Sequence, residues 1–187
     1  MKKILLLVLI LLMWCCSCLA AGTRVGVIVD MPMILKNEKG IISEIDNGVR
    51  KIFKSYKFEI VPSLEESMLL VRQYRRDNGL IDQNGGGDFL KTKDVQNLGE
   101  LFKSDYVFHI EAFPLALRGK ASLFSARIKY NAICNLKVLN VRTGEFVIIK
   151  QFNEEGDTGT SYGKMIKHFS EFIPNSLNNA KIDVSGL

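Results

Sequence analysis

The stretch from Asp105 to Phe152 constrains the fold most, because it reads as three consecutive strands with one short and one tight connection. Tyr106, Phe108, Ile110 and Ala112 share one side of a period-2 pattern; Val107, His109, Glu111 and Phe113 share the other. Side chains alternate across a strand, so the first set is the expected core face, and His109 and Glu111 are expected on a solvated face. Pro114 should end this strand, since it cannot donate to an inner ladder. In the second strand Ile128, Tyr130, Ala132, Cys134, Leu136 and Val138 fall together, and Arg127, Lys129, Asn131, Asn135 and Lys137 fall opposite, with Ile133 the exception. That alternation marks an antiparallel sheet with one face in water. Arg142-Thr143-Gly144-Glu145 reads as a tight turn in which Gly144 is free to take a positive φ, and Phe146 to Phe152 returns as the third strand. The expectation is a meander with a polar outer face.

The residues before it read as α/β units. Arg24 to Asp30 is a short β-branched run, hence a strand. Met31 to Gly40 is a loop punctuated by Pro32 and Gly40. Ser43 is the expected cap of a helix carrying Ile45, Val49, Ile52 and Phe53 at helical spacing. Phe58 to Val61 is the next strand, stopped by Pro62, which makes a β-α-β unit with a parallel pair. Ser63 and Glu66 form a capping box for a helix with Leu64, Met68 and Val71, ending in Arg72, Arg75 and Arg76 before Gly79. Those arginines read as a solvated helix end, not as an anion site. Thr92 caps a further helix with Val95, Leu98, Leu101 and Phe102. After the meander, Asn153 to Thr160 is a polar loop, and Thr160 or Ser161 caps a closing helix with Tyr162, Met165, Ile166, Phe169 and Ile173. Pro174 ends or kinks it, and Asp183 to Leu187 is an expected frayed tail. The fold class is therefore α/β (α+β): a three-layer sandwich whose mixed sheet of about five strands includes an antiparallel meander, with helices on its faces.

Residues 1–20 are set apart from the fold. Lys2 and Lys3 precede an unbroken apolar run from Ile4 to Trp14, and Cys18 and Ala20 stand where a signal peptidase reads small residues. This order matches a secretory signal peptide with expected cleavage between Ala20 and Ala21, leaving residues 21–187 as an expected single α/β domain. The alternative is lipidation at Cys15, Cys16 or Cys18. Leu12 suits Cys15, but Trp14 beside it is too large; Cys18 follows Ser17 but has Cys15 where a Leu is wanted. After cleavage before Ala21, Cys134 is the one cysteine, which excludes an intramolecular disulfide and a cysteine zinc site. It lies on the apolar face of its strand and reads as a core residue. The formal charge of +5 falls to about +3 without Lys2 and Lys3, a mild excess that does not imply nucleic acid.

Motifs for chemistry are weak. The Gly85–Gly87 cluster lacks the lysine offset and the leading strand of a phosphate cradle, and reads as a surface loop. Gly159 to Met165 follows a strand and opens a helix, but its spacing is one residue short and Met165 stands where a magnesium-binding hydroxyl belongs. His109, Glu111 and His168 include enough donors for a metal, yet nothing in the spacing brings His168 near, and no cofactor is expected. No nucleophile elbow accompanies any Ser, His and Asp, and no carboxylate pair stands out.

Two stretches carry a resemblance. Leu98 to Val107 (LGELFKSDYV) is similar to the helix–Asp-Tyr–strand segment of a group of bacterial envelope domains, and Leu136 to Glu145 (LKVLNVRTGE) to their strand with a Thr-Gly-Glu turn. The group includes the curli-secretion channel subunit family, the lipoprotein activators of penicillin-binding proteins and the amino-terminal domain of TolB. The resemblance implies a three-layer envelope domain that binds other proteins, with no catalytic residues to carry over. The Pro114 to Phe124 connection reads as too short for the membrane hairpins of the curli channel, so its pore is not expected here. The first functional expectation is an exported envelope protein that binds a protein partner without catalysis, through Lys129, Asn131, Lys137, His109 and Glu111 or through an open sheet edge. The alternative is a small hydrolase acting on an envelope polymer, which needs a cleft with a carboxylate or histidine of shifted pKa.

Overall fold

The structure, a computed structural model, describes residues 22–31, 40–81, 90–122, 125–157 and 162–182. The expected cleavage between Ala20 and Ala21, the lipidation sites Cys15, Cys16 and Cys18, the Gly85–Gly87 loop, the caps Thr160 and Ser161 and the Asp183–Leu187 tail lie outside the described residues.

The elements run β1 (Arg24–Asp30), α1 (Ile41–Ser55), β2 (Glu59–Ile60), α2 (Leu64–Asp77), α3 (Thr92–Phe102), β3 (Tyr106–Ser122), β4 (Ser125–Asn140), β5 (Glu145–Asp157) and α4 (Tyr162–Asn179). They build one mixed sheet of five strands in the order β2-β1-β3-β4-β5. The β2-β1-β3 half is parallel and the β3-β4-β5 half antiparallel. The turn after β4 forms as expected: Gly144 takes a φ of 73° and donates its N–H to Asn140 O at 2.8 Å.

Helices cover both faces. On one, α1 contributes Ile45, Val49 and Phe53 and α4 contributes Phe169, Ile173 and Leu177, packed on Val27, Phe108, Ile110, Cys134 and Leu136. The two helices approach so closely that a Cβ on Gly48 would lie 2.5 Å from Pro174 Cγ. Pro174 does not end α4, which continues to Asn179. Ser170 of α4 adds a second tie to α1, its Oγ donating to Glu44 Oε2 at 2.7 Å. On the other face, Val71 of α2 and Val95, Leu98 and Phe102 of α3 pack on Ile28, Val107 and Leu139. The architecture is the three-layer sandwich.

Local expectations hold where partners are close in sequence. The capping box of α2 is present, with Ser63 N–H donating to Glu66 Oε2 at 3.0 Å and Glu66 N–H donating to Ser63 Oγ at 3.3 Å. Other boundaries move. Gly40, in the left-handed region, caps α1 in place of Ser43, whose hydroxyl donates back to Gly40 O at 2.8 Å. Lys91, not Thr92, caps α3, its N–H bonded to Asp94 Oδ2 at 2.9 Å.

The largest departure concerns β3. Pro114 does not end it; the strand runs on to Ser122 and pairs with β4 down to Ser122↔Ser125. The physical reason is that β1 stops at Asp30↔Glu111, so beyond Glu111 β3 has an edge on that side, where a missing amide donor costs nothing. A bulge between Pro114 and Ala116 absorbs the proline. Among the described residues β5 pairs with β4 from Lys129 to Asn140, and the stretch of β4 from Ser125 to Ile128 pairs with β3 alone. Of the connection from Pro114 to Phe124, read as too short for an extra hairpin, the part from Pro114 to Ser122 is therefore one arm of a long hairpin.

Candidate functional site

Two cross-sheet rows bring ionisable groups together on the α2–α3 face. In register, Ile28 stands beside His109 and His109 beside Lys137; Asp30 stands beside Glu111 and Glu111 beside Asn135. The expected solvated face is not solvated at this point. His109 is 1% exposed and Glu111 5%. His109 Nε2–H donates to Asp30 Oδ2 at 3.0 Å, and Nδ1 lies 3.8 Å from Glu111 Oε1. Arg75 reaches down from α2, its Nη2 3.0 Å from both Asp30 oxygens. Lys137 Nζ donates to Glu111 Oε1 at 2.9 Å, and Asn135 Nδ2 to Oε2 at 3.3 Å. Each buried carboxylate thus meets a cation, which is the condition for keeping charge away from water. Arg75, expected at a solvated helix end, is instead the cluster's lid.

The helices that cover the cluster are tied to each other. Tyr74 of α2 donates its hydroxyl to Asp94 Oδ1 of α3 at 3.0 Å and accepts from Asn97 Nδ2 at 3.0 Å. Burial, with the Asp94 charge beside it, pushes the Tyr74 phenol above its usual range, so it stays a donor. Ser67 of α2 donates to Val27 O of β1.

This arrangement is poor in reactive chemistry. Among the described residues no hydroxyl or thiol is hydrogen-bonded to His109, and no group of three His, Cys, Asp or Glu side chains converges as a metal site. The two carboxylates approach opposite nitrogens of the His109 ring, so they do not point to one shared ion. His168 is exposed on α4, across the sheet from His109. Cys134 is 1% exposed, and burial pushes its thiol up to about 11. It is a core residue and not a nucleophile at neutral pH.

The expected partner surface therefore changes. His109 and Glu111 are inside, and Lys137 is committed to Glu111. Asn131 is exposed, while the side chain of Lys129 lies outside the described residues. The open wing formed by β4 and β5 on this same face carries Asn131 and Lys137 and ends in a sheet edge; sequence reasoning missed its exposed apolar residues, Val147 and Ile149. There Lys137 stands beside Ile149, Asn135 beside Gln151 and Asn131 beside Glu155. Ile149 is 68% exposed and Val147 45%, and β5 is an edge strand of 13 residues. The signal was present in Phe146–Phe152, where apolar residues occur at both parities.

No family model and no curated protein matches the chain. Solved structures do. The lipoprotein GNA1162 from Neisseria meningitidis is 9% identical, with 85% of this chain and 99% of that chain covered and a TM-score of 0.41. The LpoB C-terminal domain from Escherichia coli is 15% identical, with 75% and 84% covered and a TM-score of 0.34. TolB from Acinetobacter baumannii is 11% identical, with 86% of this chain but 28% of that chain covered and a TM-score of 0.32. The envelope group that the sequence resembles is represented among these structures by LpoB and TolB.

Proposed function

We propose that the protein is exported to the cell envelope and works there by binding another protein through the β4–β5 wing, without catalysis of its own. The observation that carries this reading is the half-covered sheet: α2 and α3 close over β1 and β3, and β5 is left as an edge with Val147 and Ile149 exposed. An edge strand offers unpaired backbone donors and acceptors to an incoming strand, and alternate side chains give it selectivity. The ionisable cluster supports binding over hydrolysis, because its charges are paired with one another under two helices. Export rests on the basic, apolar and small-residue order of residues 1–20.

A photo-cross-linking residue placed at Gln151 tests the wing in living cells. It is exposed and stands next to Asn135. The expected result is a discrete protein adduct that disappears when Val147 and Ile149 are both changed to Lys. Adducts of equal yield from Leu69, which is 60% exposed on α2, would contradict a partner site on the wing.

A further inference from the structure

We infer that the groove between the N-terminal halves of α1 and α2 seats a second copy of this chain, with the two α2 helices antiparallel across a two-fold axis. This does not rest on the wing reading above. The groove encloses about 520 Å³. Ile42 of α1 and Met68 of α2 line it and are half-buried. Leu69 stands on its α2 wall at 60% exposure, the most exposed large apolar side chain on a helix among the described residues. A lone leucine in water is ordinary on a protein surface; one that walls a groove with an apolar lining marks a place for a partner.

The charges around the groove say which partner. On the α1 wall Asp46 and Arg50 satisfy each other at 2.7 Å. On the α2 wall Glu65 and Arg72 are both exposed, and among the described residues neither has an ion pair or a side-chain hydrogen bond. They stand two helical turns apart on α2, too far to pair with each other.

Glu65, Leu69 and Arg72 occupy positions i, i+4 and i+7, so they share one stripe of α2. From N- to C-terminus the stripe reads acid, apolar, base. Turned end for end, it reads base, apolar, acid. An axis midway between Met68 and Leu69 is also midway between Glu65 and Arg72. Two copies of α2 laid antiparallel about it set Glu65 against the partner's Arg72, twice, and bring Met68 and Leu69 of both copies together between the charges. A two-fold contact needs a patch complementary to itself, and this stripe is one. Parallel helices would set acid on acid and base on base. A different protein would have to match the stripe by its own sequence, whereas a second copy matches it already.

Sedimentation velocity of the processed protein purified from its own envelope, run over a range of concentrations, tests the inference. The expected result is a monomer–dimer equilibrium. Leu69→Glu places a carboxylate from each copy at the axis and is expected to weaken the dimer at least about a hundredfold. Glu65→Arg or Arg72→Glu alone opposes like charges twice and is expected to weaken it by roughly tenfold or more. The double reversal Glu65→Arg/Arg72→Glu is expected to bring it back to within about threefold, a rescue that only the paired geometry predicts. Lys51→Glu/Lys54→Glu, exposed on α1 outside the groove, is expected to change nothing. These residues are on the surface, so the variants keep the fold; if Glu65→Arg does not, Leu69→Glu and Arg72→Glu carry the test. A photo-cross-linker at Leu69 joins two copies of this chain, a product told by its mass from the adduct to a different protein expected at Gln151. A monomer at every concentration, a dimer indifferent to Leu69→Glu, or a double reversal no better than the single ones would each overturn the inference.

Discussion

Asp30→Ala lowers the stability of the protein by about 3–5 kcal/mol, although it removes only a small side chain from the end of a strand. Arg75 and His109 both bond to that carboxylate, and their side chains are 12% and 1% exposed. Without Asp30 the guanidinium is left under α2 with no counter-charge, and a buried charge without a partner costs more than the pair contributes. For a domain of this size the loss corresponds to a fall in Tm of about 6–20 °C. Rescue distinguishes an unpaired charge from a cavity. Asp30→Leu combined with Arg75→Met removes both charges and restores apolar volume, and it recovers more than half of the loss. Thermal unfolding of the single and double variants checks this. A double variant less stable than either single one would mean that the cluster holds the fold through packing and not through charge pairing.

Phe108→Ala produces a loss of similar size by a different route. Phe108 is fully buried near the start of β3, on the α1–α4 face, with its ring centroid 4.6 Å from that of Phe53 and 5.9 Å from that of Phe58. Truncation removes the transfer free energy of the ring and leaves a cavity between strand and helix, together about 3–5 kcal/mol. Phe108→Leu, which keeps most of the volume, costs less than about 1.5 kcal/mol. Denaturant melts of the two variants separate the cavity from the chemistry. Near-equal losses would mean that the aromatic contacts, not the filled volume, hold this part of the core.

These two residues also show what was legible before the fold was known. Phe108 was placed correctly by alternation, because its partners on the helices are apolar wherever they come from. His109, its neighbour, was not. A polar residue on a strand reads the same whether water or another side chain satisfies it, and here the partner Asp30 is 79 residues away in sequence. Arg75 reaches Asp30 across 45 residues, with the same consequence. The clue was in β1, where Val25, Val27 and Val29 alternate with Ile28 so that both faces are apolar. A strand of that kind is covered on both sides, and any strand paired beside it shares the cover. Helix stripes, the Ser63–Glu66 box and the Gly144 turn were readable because each is closed within a few residues. Pro114 misled for the opposite reason: whether a proline breaks a strand depends on whether that strand has a neighbour there, and β1, the neighbour on that side, already ends at Asp30↔Glu111.

In the function proposed here the β4–β5 wing and its edge form the working surface, while the polar cluster beneath α2 holds the fold. Amide hydrogen exchange measured on the purified protein and on the protein returned to its own envelope fraction tests it most directly. The outward amides of β5 between Val147 and Asn153 exchange quickly in isolation and gain protection in the envelope fraction, and those of β3 from Val107 to Glu111 are protected in both. Edge amides that exchange equally fast in both samples, or β3 amides that open freely in the purified protein, would contradict it.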